Sequence, residues 1–323
     1  MKNIIFYLIF VVFLFPSIHK EEIIFSSKNP FSFRDIIKKI DKQDSQEVYG
    51  ILTLPDGIYN SNQKVPIVIG LAGSKDWGEH HLEYLEMYQS MGIATFELQS
   101  FKSRGISSTV GEQVQVTTAM MIYDSYMALD VLSNHPNIDP SKSAITGWSL
   151  GGGVTLYSAW EPLKEAIDPK YNFSGHLAVY PPCFAVPKNL SFSDSPIHIL
   201  IGELDNWVPA KACEELVDTL SKESVNINVT VYEDAHHSFD RDTEVVISEE
   251  AYNFTDCRFK IRNDGALVMN FIPIPMTTPL LQKIGLSCCA KRGPTYGGHP
   301  SSKEKSLKFS KDFMKKYLLS SID

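Results

Sequence analysis

Beyond its first twenty residues the chain has no apolar run near the roughly 20 residues that a membrane-spanning helix requires. It lacks excess positive charge: 30 Lys and Arg stand against 38 Asp and Glu, a net charge of −8. That balance supplies no electrostatic drive toward nucleic acid or an anionic membrane surface, so neither is expected as a partner. The five cysteines contain no C-x-x-C pair with a matching second half, and neither a bound metal nor a cofactor is expected. There is no internal repeat and no low-complexity segment. What remains is a chain of 323 residues, 43% hydrophobic and 21% charged, enough for a sizeable core. At roughly 100–200 residues per domain two domains would fit, but α/β folds of this length often form one.

The amino terminus is different in kind. Lys2 is followed by an uncharged apolar run from Ile4 to Phe15, broken by Pro16 and Ser17, with charge returning at Lys20, Glu21 and Glu22. The run is too short to span, so residues 1–20 read as a secretory signal peptide; an uncleaved anchor is the alternative, because no clean small-x-small cleavage site follows. No cysteine follows the run, which argues against a lipoprotein anchor. The expected location is secreted or periplasmic, with no membrane attachment after signal removal. In such a compartment Cys183, Cys213, Cys257, Cys288 and Cys289 can form two bridges and leave one thiol. Sequons stand at Asn172, Asn189, Asn228 and Asn253.

Residues 21–44 read as an amino-terminal extension and 45–323 as one domain. Within it, short β-branched runs alternate with amphipathic stretches. Strands are predicted at 47–54, 66–71, 93–98, 143–148, 176–180, 196–202 and 227–232, and helices at 79–91, 114–133, 151–160, 210–220 and 305–319. That alternation predicts an α/β fold, a mostly parallel central sheet with helices on both faces. The rhythm lapses at about 241–303, which reads as a late insertion. It carries a hairpin, Cys257–Ile261 and Ala266–Phe271 around the turn Asn263-Asp264-Gly265. A bridge from Cys257 to Cys288 or Cys289 would pin it, contributing roughly 4 kcal/mol by chain entropy.

The chemistry concentrates in Gly147-Trp148-Ser149-Leu150-Gly151. This is G-x-S-x-G between a predicted strand and a predicted helix, the context of the nucleophile elbow of the α/β-hydrolase fold. Ser149 is therefore the candidate nucleophile, and the helix N-terminus behind it favours negative charge. A serine hydroxyl needs a base. His236 and His237 follow the last predicted strand, and His237 is taken as the base with His236 as a solvated neighbour. The orienting acid is read as Asp205, with Glu203 as runner-up, which gives the chain order Ser, Asp, His of this fold. Oxyanion N–H donors are expected from Leu150 and, in the loop Ala72-Gly73-Ser74-Lys75, from Ser74.

Together these motifs resemble the dienelactone hydrolase family. Ser100-Phe101-Lys102-Ser103-Arg104-Gly105-Ile106 is similar to its S-F-x-x-R-G-[IV] stretch, and His135-Pro136-Asn137-Ile138-Asp139-Pro140 to its approach to the elbow. The likeness extends through Gly202–Pro209 and Ala235–Asp240, over roughly 45–320, and implies Ser149, Asp205 and His237 as the triad. It also implies a Cys183–Cys213 bridge. The family's namesakes use a cysteine nucleophile where this chain has Ser149, so their substrate does not carry over. The chain also has Ala72 and Gln99 where His and Asp are common. Arg104 and Trp148 are candidate substrate-binding residues; for Arg104, a structural ion pair is equally open. The implied activity is hydrolysis of a small carboxylic ester or lactone through an acyl-enzyme. Peptide hydrolysis, acyl transfer and a non-catalytic binding role are the alternatives.

Overall fold

The computed structural model describes residues 19–269 and 274–320. Most of the expected signal peptide therefore lies outside the described residues, as do Asn270 and Phe271 at the end of the expected hairpin. His19 and Lys20, counted with the signal, instead open the first strand, opposite Leu54 and Thr53.

The segment read as an extension is part of the sheet. Strand β1 (His19–Lys28) pairs antiparallel along its whole length with β2 (Ser45–Leu54), and helix α1 (Phe33–Lys39) lies between them in sequence. Asp35 accepts from the N–H of Ser32 at the start of α1 at 3.0 Å, closing a capping box. No predicted element covered this stretch, because its alternation Ile23, Phe25, Ser27 is that of a half-buried edge strand and gives a weak apolar signal.

The doubly wound unit then follows: β3 (Val65–Leu71), α2 (Glu79–Ser90), β4 (Ala94–Leu98), α3 (Thr118–Leu132), β5 (Ile138–Trp148), α4 (Leu150–Ser158), α5 (Glu161–Ile167) and β6 (Gly175–Val179). After a short β7 (Ala185–Pro187) come β8 (Ile197–Gly202), α6 (Ala210–Ser221) and β9 (Ile227–Tyr232). The main sheet has eight strands in the order β1-β2-β4-β3-β5-β6-β8-β9, parallel from β4 to β9. Its central strands are apolar runs such as Ile67-Val68-Ile69, fully buried because helices cover both faces. This is the α/β-hydrolase architecture, and it puts the carboxyl ends of β5, β8 and β9 along one edge.

Two helix starts lie several residues from the predicted ones. Helix α3 starts at Thr118, not at residue 114, because the Thr117 hydroxyl accepts the Met120 N–H at 3.2 Å and caps it there. The final helix, α8 (Pro300–Met314), begins five residues early with Pro300 at its first position, where a missing N–H costs nothing, and ends in a π turn at Lys315–Leu319.

The late insertion carries more structure than a hairpin. Short strands β10 (Val246–Ile247) and β11 (Tyr252–Asn253) precede β12 (Phe259–Ile261) and β13 (Leu267–Met269), which form the hairpin. Gly265 holds the turn at φ 81°, a left-handed conformation. Strand β12 also pairs in parallel with β7, docking the insertion on the main body. Helix α7 (Pro279–Ser287), missed in the sequence, carries its own start signal: Thr278 accepts from Leu281 N–H and Pro279 follows. Strands β14 (Lys291–Arg292) and β15 (Thr295–Tyr296) return to pair with β11 and β10. Of the two pairings left open for Cys257, the structure has Cys257–Cys289, and Cys288 is an exposed free thiol; Cys183 is joined to Cys213.

Candidate active site

Ser149 sits between β5 and α4 with φ 55° and ψ −114°, a strained conformation for a residue with a side chain. The flanking glycines are required by space. A Cβ on Gly147 would press into the carbonyl of Gly151, and one on Gly151 into the carbonyl of Leu71. The turn is held by the Ser149 N–H donating to Val179 O at 2.9 Å, which leaves the hydroxyl at the sheet edge.

The structure brings the three sequence-assigned side chains together. Ser149 Oγ lies 2.9 Å from His237 Nε2, and His237 Nδ1 lies 2.7 Å from Asp205 Oδ2. Asp205 is itself anchored: its Oδ1 accepts the backbone N–H groups of Trp207 at 3.0 Å and Val208 at 2.9 Å. His237 is only 2% exposed and is packed between the rings of Tyr180 and Trp207, with centroids 4.8 Å and 5.0 Å away. The insertion holds this loop from outside, since Gly297 N–H donates to His237 O at 2.9 Å. Glu203, the runner-up acid, instead accepts the Asp234 N–H at 3.2 Å. His236 bonds Thr295 Oγ1 through Nδ1 at 2.8 Å, on the insertion side.

Of the expected oxyanion donors, Leu150 is the first residue of α4, where a backbone N–H has no partner four residues earlier in the helix. Ser74 lines the same cavity as Ser149, because an added Cβ on Gly73 would lie only 3.5 Å from Ser149 Cβ, so the two loops touch.

Neither Arg104 nor Trp148 lines the recesses at Ser149; of the two readings left open for Arg104 the ion pair is the one seen, and the expectation of substrate contact is corrected for Trp148. Arg104 makes a forked pair with the fully buried Asp124, and also donates to Asn29 Oδ1, Lys28 O and Ser100 O. All its donors face protein, so it resolves as the structural ion pair. Trp148 is fully buried against Trp77, His81 and Tyr84, since alternate residues of β5 face away from Ser149.

Two recesses open from Ser149. One is an apolar cavity of about 170 Å³ that reaches under the insertion. The other is smaller and is bordered by the ionisable side chains of His237, Lys75, Asp76 and Arg241, with Tyr296 among others. The Lys75 ammonium lies 4.4 Å from the Tyr296 ring centre and bonds its hydroxyl at 3.2 Å. Sequence reading passed over Lys75, Arg241 and Tyr296: Lys75 closes the expected oxyanion loop, Arg241 directly follows the Ala235–Asp240 stretch, and Tyr296 lies in the late insertion. Behind His237, Tyr180 donates its hydroxyl to the fully buried Asp240 at 2.8 Å. Burial pushes the Asp240 carboxyl up to about 6 and His80 beside it down to about 3, and holds His81 well below the usual imidazole range. No group of His, Cys, Asp and Glu among the described residues could hold a metal ion.

Residues 86–257, more than half of the chain, match the dienelactone hydrolase family. A protein of Escherichia coli O157:H7, provisionally named a carboxymethylenebutenolidase, is 31% identical over 107 residues; the match covers 32% of this chain and 39% of that protein. A vacuolar membrane protease of Clavispora lusitaniae is 29% identical over 124 residues, 38% of this chain and 12% of its own length. The chain thus spans well under two thirds of either relative. Among solved structures, m3DLH superposes with a TM-score of 0.58 at 14% identity, covering 93% of this chain and 99% of its own. A dienelactone hydrolase-like promiscuous phosphotriesterase from metagenomic libraries does so with 0.53 at 13% identity, covering 92% and 98%. At such identities the likeness is one of fold.

Proposed function

The chain belongs to the dienelactone hydrolase family, and on that premise we propose that it is a serine hydrolase that cleaves a small carboxylic ester or lactone through an acyl-enzyme on Ser149. The observation that carries this reading is the unbroken line of contacts from Ser149 through His237 to Asp205, at 2.9 Å and 2.7 Å.

Each contact has a chemical use. His237 Nε2 accepts the Ser149 proton as Oγ attacks the carbonyl carbon, and Asp205 holds the imidazole in the tautomer that leaves Nε2 free to accept. Two backbone N–H groups hold the other oxygen of Asp205 and so fix the orientation of its carboxyl toward His237. The N–H groups of Leu150 and Ser74 bind the developing oxyanion at the positive end of α4. His237 then gives its proton to the leaving oxygen, and a water attacks the acyl-enzyme by the same route in reverse. No step needs a metal or a cofactor.

Two disulfides favour an oxidising compartment, so a secreted or periplasmic enzyme is the reading adopted. The test is turnover of p-nitrophenyl and lactone substrates by purified protein. Hydrolysis by the wild type that is lost in Ser149→Ala is expected. Equal rates in the two proteins would refute it.

A further inference from the structure

Resting on the acyl-enzyme reading above, we propose that the acyl half of the substrate is an uncharged, apolar group of about six to eight carbon atoms, seated in the cavity beneath the insertion. The alcohol half leaves through the smaller recess bordered by ionisable side chains.

The direction follows from the proton's path. As Ser149 Oγ bonds the carbonyl carbon, its proton moves to His237 Nε2; as the carbon–oxygen bond to the leaving group breaks, that proton must reach the departing oxygen. The alcohol therefore lies on the side lined by His237. His237 lines the smaller recess and does not line the apolar cavity, whereas Leu150, an expected oxyanion donor, does. The acyl group is left with the apolar side.

The lining sets the chemistry. Among the described residues, no Asp, Glu, Lys, Arg or His borders the apolar cavity. A carboxylate carried there would lose its hydration with no cation to meet it, a heavy cost. The walls are mainly aromatic and aliphatic, with Phe33 from the amino-terminal segment, Phe184 and Phe259 stacked edge-on at 5.6 Å, and Leu267, Met276 and Leu286 from the insertion. The few polar groups, such as Thr117 and Gln113, are uncharged. The size follows from volume: an apolar cavity of about 150 Å³ takes up a benzene ring, and this one is about 170 Å³. Both disulfides bracket its walls. Cys183 lies between the lining residues Pro182 and Phe184, and Cys257–Cys289 joins the segment of Phe254 and Phe259 to the end of α7, where Leu286 lies.

The experiment is a p-nitrophenyl ester series on the disulfide-intact protein, from acetate through butyrate, hexanoate and octanoate to dodecanoate, with benzoate and a hemisuccinate added. Burial of each methylene is expected to raise kcat/KM about three- to four-fold up to hexanoate or octanoate, followed by a fall at dodecanoate. Benzoate should exceed acetate, and the hemisuccinate should fall at least roughly ten-fold below butyrate. Two variants at one lining position give opposite expectations. Leu286→Trp should lower the hexanoate-to-acetate ratio by roughly ten-fold, and Leu286→Ala should move the optimum to longer chains. If Leu286→Trp fails to fold, the alanine variant and the wild-type series still decide the matter. A flat series, a fall from acetate onward, or preference for the hemisuccinate would overturn this inference and leave the Ser149 reading intact. No turnover of any ester would overturn both.

Discussion

Arg104 and Asp124 meet fork to fork, with Nη1 2.7 Å from Oδ2 and Nη2 3.0 Å from Oδ1, and Asp124 has no exposed surface. Ser27 and Ser100 donate to the same carboxylate, so one buried acid ties the end of β1 and the loop after β4 to α3. Removing the guanidinium would strand a buried charge. Arg104→Met is expected to cost about 3–5 kcal/mol in urea unfolding, with kcat/KM of the folded fraction little changed. Full stability with a raised KM would return Arg104 to the substrate.

Asp205→Asn should leave the site's geometry largely in place but favour the wrong imidazole tautomer, lowering kcat by about 10⁴-fold. Ser149→Ala and His237→Ala should be comparably severe, and the double variant little worse, since the three act as one unit. Glu203→Gln should stay within about twofold, because Glu203 is exposed and accepts the Asp234 N–H on the loop that carries His237, whereas the His237 ring bonds Asp205. Steady-state kinetics on a p-nitrophenyl ester checks all five.

The bridges Cys183–Cys213 and Cys257–Cys289 close segments separated by 30 and 32 residues. Chain entropy assigns each about 4 kcal/mol. Reductant should therefore lower the melting temperature by many degrees, and alkylation of the oxidised protein should tag only Cys288. Five tagged thiols in protein from its native compartment would remove this contribution.

Stability should also depend on pH through the buried pair behind His237. Asp240 keeps its proton up to about 6, whereas an unfolded carboxyl loses it near 3.8. The folded state thus binds more protons in between, and this group's contribution falls as pH rises from roughly 4 to 6. His80 acts in the opposite sense: it resists protonation down to about 3 in the folded state, so its contribution is lost as pH falls below about 6.5. The two slopes oppose each other in the wild type. Asp240→Asn leaves His80 alone, so melting temperature should drop more steeply on acidification than in the wild type. Parallel profiles would refute the assignment.

Much of this was legible in the primary structure because it is local. The elbow is one short motif between a β-branched run and a helix, and the loops bearing Asp205 and His237 follow strands recognisable by their apolar runs. Where contacts are long-range, the sequence was silent. Strand β1 shows its place only against β2, and Arg104 could be told from a substrate ligand only by its partner Asp124 on another helix. Trp148 faces away from its neighbour Ser149 because the strand alternates, which a motif does not record. The apolar cavity is built jointly by the amino-terminal segment, the loop after β6 and the insertion, and no single window contains it.

The most direct measurement is mass-spectrometric mapping of a fluorophosphonate adduct on the folded, oxidised protein. One adduct is expected, on the peptide that carries Ser149, and it should be absent from Ser149→Ala and strongly slowed in His237→Ala. A folded protein that takes up no label, or takes it up on another serine, would contradict the assignment of Ser149 as nucleophile.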